Sequence, residues 1–216
     1  MAIRRAYEDS VFINCPFDPD YLPMFEVIVF TVFACGFSPC CAREEDDASD
    51  VRVEKIVRLI ESCRFGIHDI SRIGLEQDTG LPRFNMPFEL GLDLGCKKFG
   101  QPRNRQKRLL ILDAKPYRYK TFLSDIGGQD IRAHDNKPDQ AISIVRDWLR
   151  TASTREKIPG DLVIRRQFEA FTQQLPEICA GIGLQRANLN YLDYVTFTLN
   201  WLRENRDAAA RHQPAR

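Results

Sequence analysis

Cys63-Arg64-Phe65-Gly66-Ile67-His68-Asp69 and, after the polar insertion Arg72 to Pro82, Asn85-Met86-Pro87-Phe88-Glu89-Leu90-Gly91-Leu92-Asp93-Leu94-Gly95 are the stretch on which the fold turns. The first piece reads as a buried strand, Phe65 to Asp69, that ends in a carboxylate. The second reads as a helix, Pro87 to Lys98, with proline in its first turn, where the missing N–H costs nothing. Strand, loop and helix together form half of a β-α-β unit. They set two acids, Asp69 and Glu89, at the carboxyl edge of a sheet, where open α/β folds keep their ligands.

The same grammar extends on both sides. Ser10 to Asn14 reads as a short buried strand, and Leu22 to Cys35 as a nearly all-apolar helix stopped by Gly36 in a left-handed cap. Phe37 to Ala42 reads as a second strand, with Pro39 pointing to an edge position or an irregular start. The acidic stretch Glu44 to Asp50 reads as a loop. A helix follows over Val51 to Ser62, with Asp50 as its N-cap and Val53, Ile56, Val57 and Ile60 on the buried face. Arg108 to Asp113 and Ile131 to Ala133 read as the fourth and fifth strands. Pro138 to Thr151 reads as a helix with Ile142, Val145, Trp148 and Leu149 inward.

Alternating strands and helices predict an α/β protein with a flavodoxin-like, doubly wound, mostly parallel sheet of about five strands. That domain is expected over residues 1–153. Residues 154–216 carry no strand signal and are expected to form a helical extension. Its helices are Asp161 to Ala180 and Asn188 to Asn205, joined by Gly181-Ile182-Gly183, with a frayed end from Ala208 to Arg216. The second helix carries Leu189, Leu192, Tyr194, Val195, Phe197, Leu199, Trp201 and Leu202. That is more apolar surface than an exposed helix shows, so the extension must pack on the domain or on another subunit.

The chain has 31 basic and 30 acidic residues in 216, a net charge of +1, so no global field recruits a polyanion. A nucleic-acid partner is therefore weakly supported and would need a local site. The longest apolar stretch, Val27 to Cys35, is too short for a bilayer. No apolar signal core follows the start, and the seven cysteines are scattered without C-x-x-C pairs. These features predict a cytoplasmic protein with reduced thiols, no membrane association and no metal. Neither a dinucleotide G-x-G-x-x-G nor a P-loop is present.

Each candidate residue has an ordinary reading beside its chemical one. Glu89 is either a first-turn acid favoured by the helix dipole or a cleft carboxylate able to meet an anomeric carbon. Asp69 either caps its own turn through Ser71 or holds a ligand. Asn14-Cys15-Pro16-Phe17-Asp18 is a plain β-α turn or the wall of a ribose or base pocket. Cys15 would need a base such as His68 to act as a nucleophile. The run Lys97 to Arg108 holds six basic residues and no acid, as a solvated loop or a grip on phosphates.

In order along the chain, Val11 to Phe17, Phe65 to Asp69 and Phe88-Glu89-Leu90-Gly91-Leu92 resemble the opening strand, the third strand and the F-E-L-G-Y helix motif of one superfamily. It joins nucleoside 2-deoxyribosyltransferases with TIR domains. The resemblance implies cleavage or transfer at the N-glycosidic bond of NAD or a related nucleotide or nucleoside, with no cofactor beyond NAD as substrate. Glu89 then becomes the nucleophile or oxocarbenium stabiliser and Asp69 a substrate-holding acid. Asn14, Cys15, Pro16, Phe17, Asp18, His68 and Asn85 make up the substrate-binding wall. A role in anti-phage defence and a homo-oligomeric state are further expectations. The residue six before Glu89, an acid in the transferase pattern, is here Arg83. The competing expectation is a nucleotide-sensing adaptor that binds in the same cleft without catalysis.

Overall fold

The computed structural model describes residues 6–44, 47–74 and 80–211. Its centre is a five-stranded, all-parallel sheet: β1 (Ser10–Asn14), β2 (Ser38–Cys40), β3 (Phe65–Asp69), β4 (Arg108–Asp113) and β5 (Arg132–Ala133), in the order β2-β1-β3-β4-β5. Helices α1 (Leu22–Ala34) and α4 (Pro138–Ala152) cover one face, and α2 (Arg52–Ser62) and α3 (Asn85–Phe99) cover the other. This is the doubly wound, flavodoxin-like order, and its winding reverses between β1 and β3.

Strand alternation assigns each residue to a layer. Val11 and Ile13 of β1, Phe65 and Ile67 of β3 and Leu110 and Leu112 of β4 join the core under α1 and α4. Phe12 faces α2, and Ile111 faces α3. The register pairs Ile13 with Ile67, and Asn14 with His68, so β1 and β3 end side by side at the reversal.

Helix α1 is buried along its whole length apart from its first two residues. It has no polar face because the sheet covers one side and the C-terminal helices α5 (Asp161–Gly181) and α6 (Tyr191–Arg211) cover the other. Phe30 stacks on Phe171 at 5.4 Å, Tyr194 Oη donates to the Glu26 carbonyl at 2.9 Å, and Arg186 pairs with the Glu26 carboxylate. The apolar excess of the extension is thus spent on the domain itself, in a core shared with α1 and α4. The C-terminus of α1 closes with Gly36 at φ +86°, the Gly36 amide on Phe33 O and the Phe37 amide on Val32 O, the paired bonds of a Schellman cap.

Several boundaries move from the sequence expectation. β2 is shorter than Phe37 to Ala42, because only Ser38, Pro39 and Cys40 find partners on β1. α3 begins two residues before Pro87. α6 starts at Tyr191, after a short 3-10 turn over Arg186–Asn188, and runs to Arg211; residues 212–216 lie outside the described residues. Asp50 does not cap α2 with its side chain, pairing instead with Arg58. The buried stripe of α2 is Ile56, Leu59 and Ile60, with Val53 and Val57 exposed. Leu92 and Cys96 of α3 pack into that cluster and turn the Leu59 side of the helix inward. Among the described residues no helix is long and apolar enough to cross a membrane.

Candidate functional site

A cleft of about 780 Å³ opens where the winding reverses. One wall is the loop after β1, with Pro16, Phe17, Asp18 and Pro19; the other is the start of α3, with Phe84, Asn85 and Met86. Arg52, Arg72 and Arg83 converge on it from three separate segments. The N-terminus of α3 carries no side-chain cap, so its dipole adds to the positive field in the cleft. Phe84, 64 % exposed, and half-buried Phe17 supply apolar faces. Asp18 accepts the Tyr21 amide at 3.0 Å, capping the turn into α1, and lies 3.6 Å from Arg72. A second cavity of about 670 Å³ lies beside the first and shares Arg72 with it; Tyr21, Ser71, Arg118 and Asn136 are among its lining residues.

Beneath the first cleft runs a buried polar chain on the α2/α3 face of the sheet. The Asn14 amide donates to Met86 O at 2.9 Å and to His68 Nδ1 at 3.0 Å. Because the Met86 carbonyl accepts only, the Asn14 NH₂ must lie on that side, and His68 Nδ1 is the acceptor. His68 Nε2 therefore carries the proton and donates to Asp93 Oδ2 at 3.0 Å. Asp93 Oδ1 lies 3.2 Å from the Lys107 ammonium, which also donates to Ile60 O and Cys63 O at the end of α2. His68, Asp93 and Lys107 are all fully buried. Gly66 is where the strand passes under this pair: a Cβ there would stand 2.6 Å from Asp93 Oδ2 and 3.0 Å from His68 Nε2.

Asp69 lies on the opposite face. It is completely buried and satisfied by three donors: Tyr21 Oη at 2.5 Å, His134 Nε2 at 2.9 Å and the Ser71 amide at 2.8 Å. The Asn136 amide donates to His134 Nδ1 at 3.0 Å, so Nδ1 is the acceptor of the ring and Nε2 the side that donates to Asp69. Burial pushes the Asp69 carboxyl up, but the hydrogen bonds from His134, Ser71 and Tyr21 outweigh it and hold the pKa below the ordinary carboxylate value. Asp135 and Asn136, which follow His134, both sit in the left-handed region at φ +51° and +56°. Asn136 at that turn lines the second cavity.

Glu89 is placed differently. It sits one turn along α3 from Asn85 and Met86, is 4 % exposed, and makes no hydrogen bond or ion pair with any described residue. Burial pushes its carboxyl up to about 7, opposed only by the charge of Arg52. Strand alternation puts Asp69 among the residues of the α1/α4 layer, whereas Glu89 rides on α3. Both carboxylates act on the Cys15 thiol at the carboxyl edge of the sheet, and neither lines either of the two cavities.

Of the expected wall, Pro16, Phe17, Asp18 and Asn85 line one cleft, while Asn14, Cys15 and His68 are buried behind it. Burial, reinforced by the neighbouring Cys41, Asp69 and Glu89, raises the Cys15 thiol well above its usual value, so it stays protonated. Sequence reading missed Arg52, Arg72, Arg83 and Phe84 in the cleft, and Tyr21, His134, Asp93 and Lys107 behind it. Asp93, four residues after Glu89 in an apolar helix, was the one with a local signal. Among the described residues no cluster of three His, Cys, Asp or Glu is arranged for a metal. Compared with protein-family models, with curated proteins and with solved structures, the chain matches none.

Proposed function

We propose that the protein binds a nucleoside or nucleotide in the cleft between β1 and β3 and breaks or exchanges its N-glycosidic bond, with Glu89 as the reacting carboxylate. The observation that carries this reading is the state of Glu89: buried, without a hydrogen-bond partner, its pKa about 7, one turn from the wall of a cationic cleft. A carboxylate kept this way stabilises little in the fold and is poised for a reacting group. Arg52, Arg72 and Arg83 with the α3 N-terminus suit phosphates, and Phe17 and Phe84 suit a base.

In the reaction the electron pair of the C1′–N bond leaves with the base. Ionised Glu89 stabilises the positive charge that develops at C1′, or attacks it, and water or an acceptor base then completes the exchange. NAD, the substrate implied by the motif resemblance, fits this economy of groups. Its pyrophosphate needs cations, and its nicotinamide departs neutral without a proton donor.

The position of Asp69 favours a second reading. With its oxygens committed to Tyr21, His134 and Ser71, it is not at the cleft to hold a sugar, which suits a nucleotide sensor that binds without catalysis. Purified protein incubated with NAD and with nucleosides, with base release followed by chromatography, separates the two. The enzyme reading predicts turnover that rises with pH through about 7 as Glu89 ionises. It also predicts a loss of about 10²- to 10⁴-fold in Glu89→Gln. Tight binding with no base released would establish the sensor instead.

A further inference from the structure

The basic run Lys97 to Arg108 plays no part in the cleft, and its folded form is concave. A depression of about 430 Å³ is lined by Arg64, Lys97, Arg105, Gln106, Lys107 and Arg108, with no acid among them. It lies at the starts of β3 and β4, the edge of the sheet opposite the cleft. The Lys107 ammonium is turned inward onto Asp93 and the end of α2, so the cations offered outward are those of Arg64, Lys97, Arg105 and Arg108. Arg64 has Glu8 as a partner; Lys97, Arg105 and Arg108 have no ion pair with any described residue. In a chain whose net charge is only +1, this is a local concentration of uncompensated charge. Phe99, the last residue of α3 and two positions after Lys97, is 82 % exposed, the most exposed large apolar side chain of the described residues.

We infer that this depression binds the backbone of a single-stranded nucleic acid, with the four cations on successive phosphates and Phe99 as a platform for a base. Phosphates neutralised by Arg and Lys release counterions, and a solvent-exposed aromatic beside such a track stacks bases without regard to sequence. A planar anionic membrane would touch only the rim of a recessed cavity, whereas a flexible strand follows it inward. Nothing in this assignment depends on the chemistry at Glu89, which lies toward the other end of α3.

Fluorescence anisotropy with a labelled short oligothymidylate tests it on the full chain. Four phosphate contacts predict a slope of log K against log salt near about −3, and Arg105→Gln with Arg108→Gln should cut that slope by about half. Phe99→Ala should weaken binding roughly tenfold without changing the slope. All three positions are exposed, and unchanged thermal unfolding of the variants verifies that the fold is kept. Glu89→Gln should bind the oligonucleotide like the parent, which separates failure here from failure at the cleft. The assignment is overturned by no binding at about 50 mM salt or by full retention in the double arginine variant. Displacement by inorganic phosphate at matched phosphate concentration, equal affinity for a duplex, or tighter capture by phosphatidylserine vesicles would overturn it as well.

Discussion

Two buried carboxylates flank the carboxyl edge of the sheet, and they are opposites in how the fold treats them. Asp69 is fully enclosed, meets three donors, and has its pKa drawn down by them. Glu89 is nearly as enclosed, meets none, and has its pKa driven up to about 7. A satisfied carboxylate at a strand end organises its neighbours: here it holds Tyr21 before α1 and His134 after β5, and so ties the loops around the second cavity. A carboxylate that burial alone raises, with no donor from the described residues, is poised to change its protonation state, and its place one turn from an arginine-lined cleft is most simply explained by a ligand. Asp93 extends the lesson, since His68 donates to one of its oxygens and the buried Lys107 ammonium lies 3.2 Å from the other as a countercharge.

If the contrast between answered and unanswered acids is sound, removing an answer should hurt most. Lys107→Met leaves Asp93 buried without its countercharge and the last carbonyls of α2 without a donor; we expect a loss of about 3–5 kcal/mol in urea unfolding. A loss below about 1 kcal/mol would place the Asp93–Lys107 pair among ordinary surface bridges and dissolve the contrast.

Glu89→Gln should act in the other direction. The folded pKa is raised from 4.5 to about 7, so the native state holds more protons than the unfolded one across that window, and stability falls as pH rises through it. At pH 8 the amide variant should be more stable than the parent by about 3 kcal/mol, with the advantage gone near pH 4. An advantage that is independent of pH would mean that the carboxyl is not desolvated in solution.

The smallest effect is expected on the Asp69 side. Tyr21→Phe removes one of three donors and should cost about 1.5–3 kcal/mol near neutral pH. Because the Asp69 pKa is depressed in the fold, its contribution is present above the unfolded value and lost as pH falls through the folded one. With one donor gone that folded pKa rises, so acid unfolding of the variant should begin at a higher pH. An acid transition at the same pH as the parent would show that Tyr21 does not hold the carboxylate.

The alternation that predicted a parallel sheet was legible because each strand is a short apolar run closed by a polar or turn residue: Asn14 before Pro16, Asp69, Asp113. The left-handed stop at Gly36 was legible for the same local reason. The stripe of α2 was misread by its Val53 and Val57, since periodicity finds an apolar face but the neighbouring helix decides how it is turned. At the site, Pro16, Phe17, Asp18 and Asn85 were within reach of local reading because they stand directly after a strand or at a helix start. Arg52, Arg72 and Arg83 were not, because a charged residue looks the same on any surface until three segments bring it to one cleft.

By itself the chain determined the succession of strands and helices, the glycine stop of α1, and the presence of acids at the end of β3 and the start of α3, all matters of residues a few positions apart. The tertiary structure alone decided which of those acids is answered. Alternation along β3 sends Asp69 toward Tyr21 and His134, separated from it by 48 and 65 residues. The turn of α3 leaves Glu89 without a hydrogen-bond donor among the described residues, with only the charge of Arg52 acting on it. Desolvation and hydrogen bonding depend on what the fold brings near, and sequence distance carries no record of that.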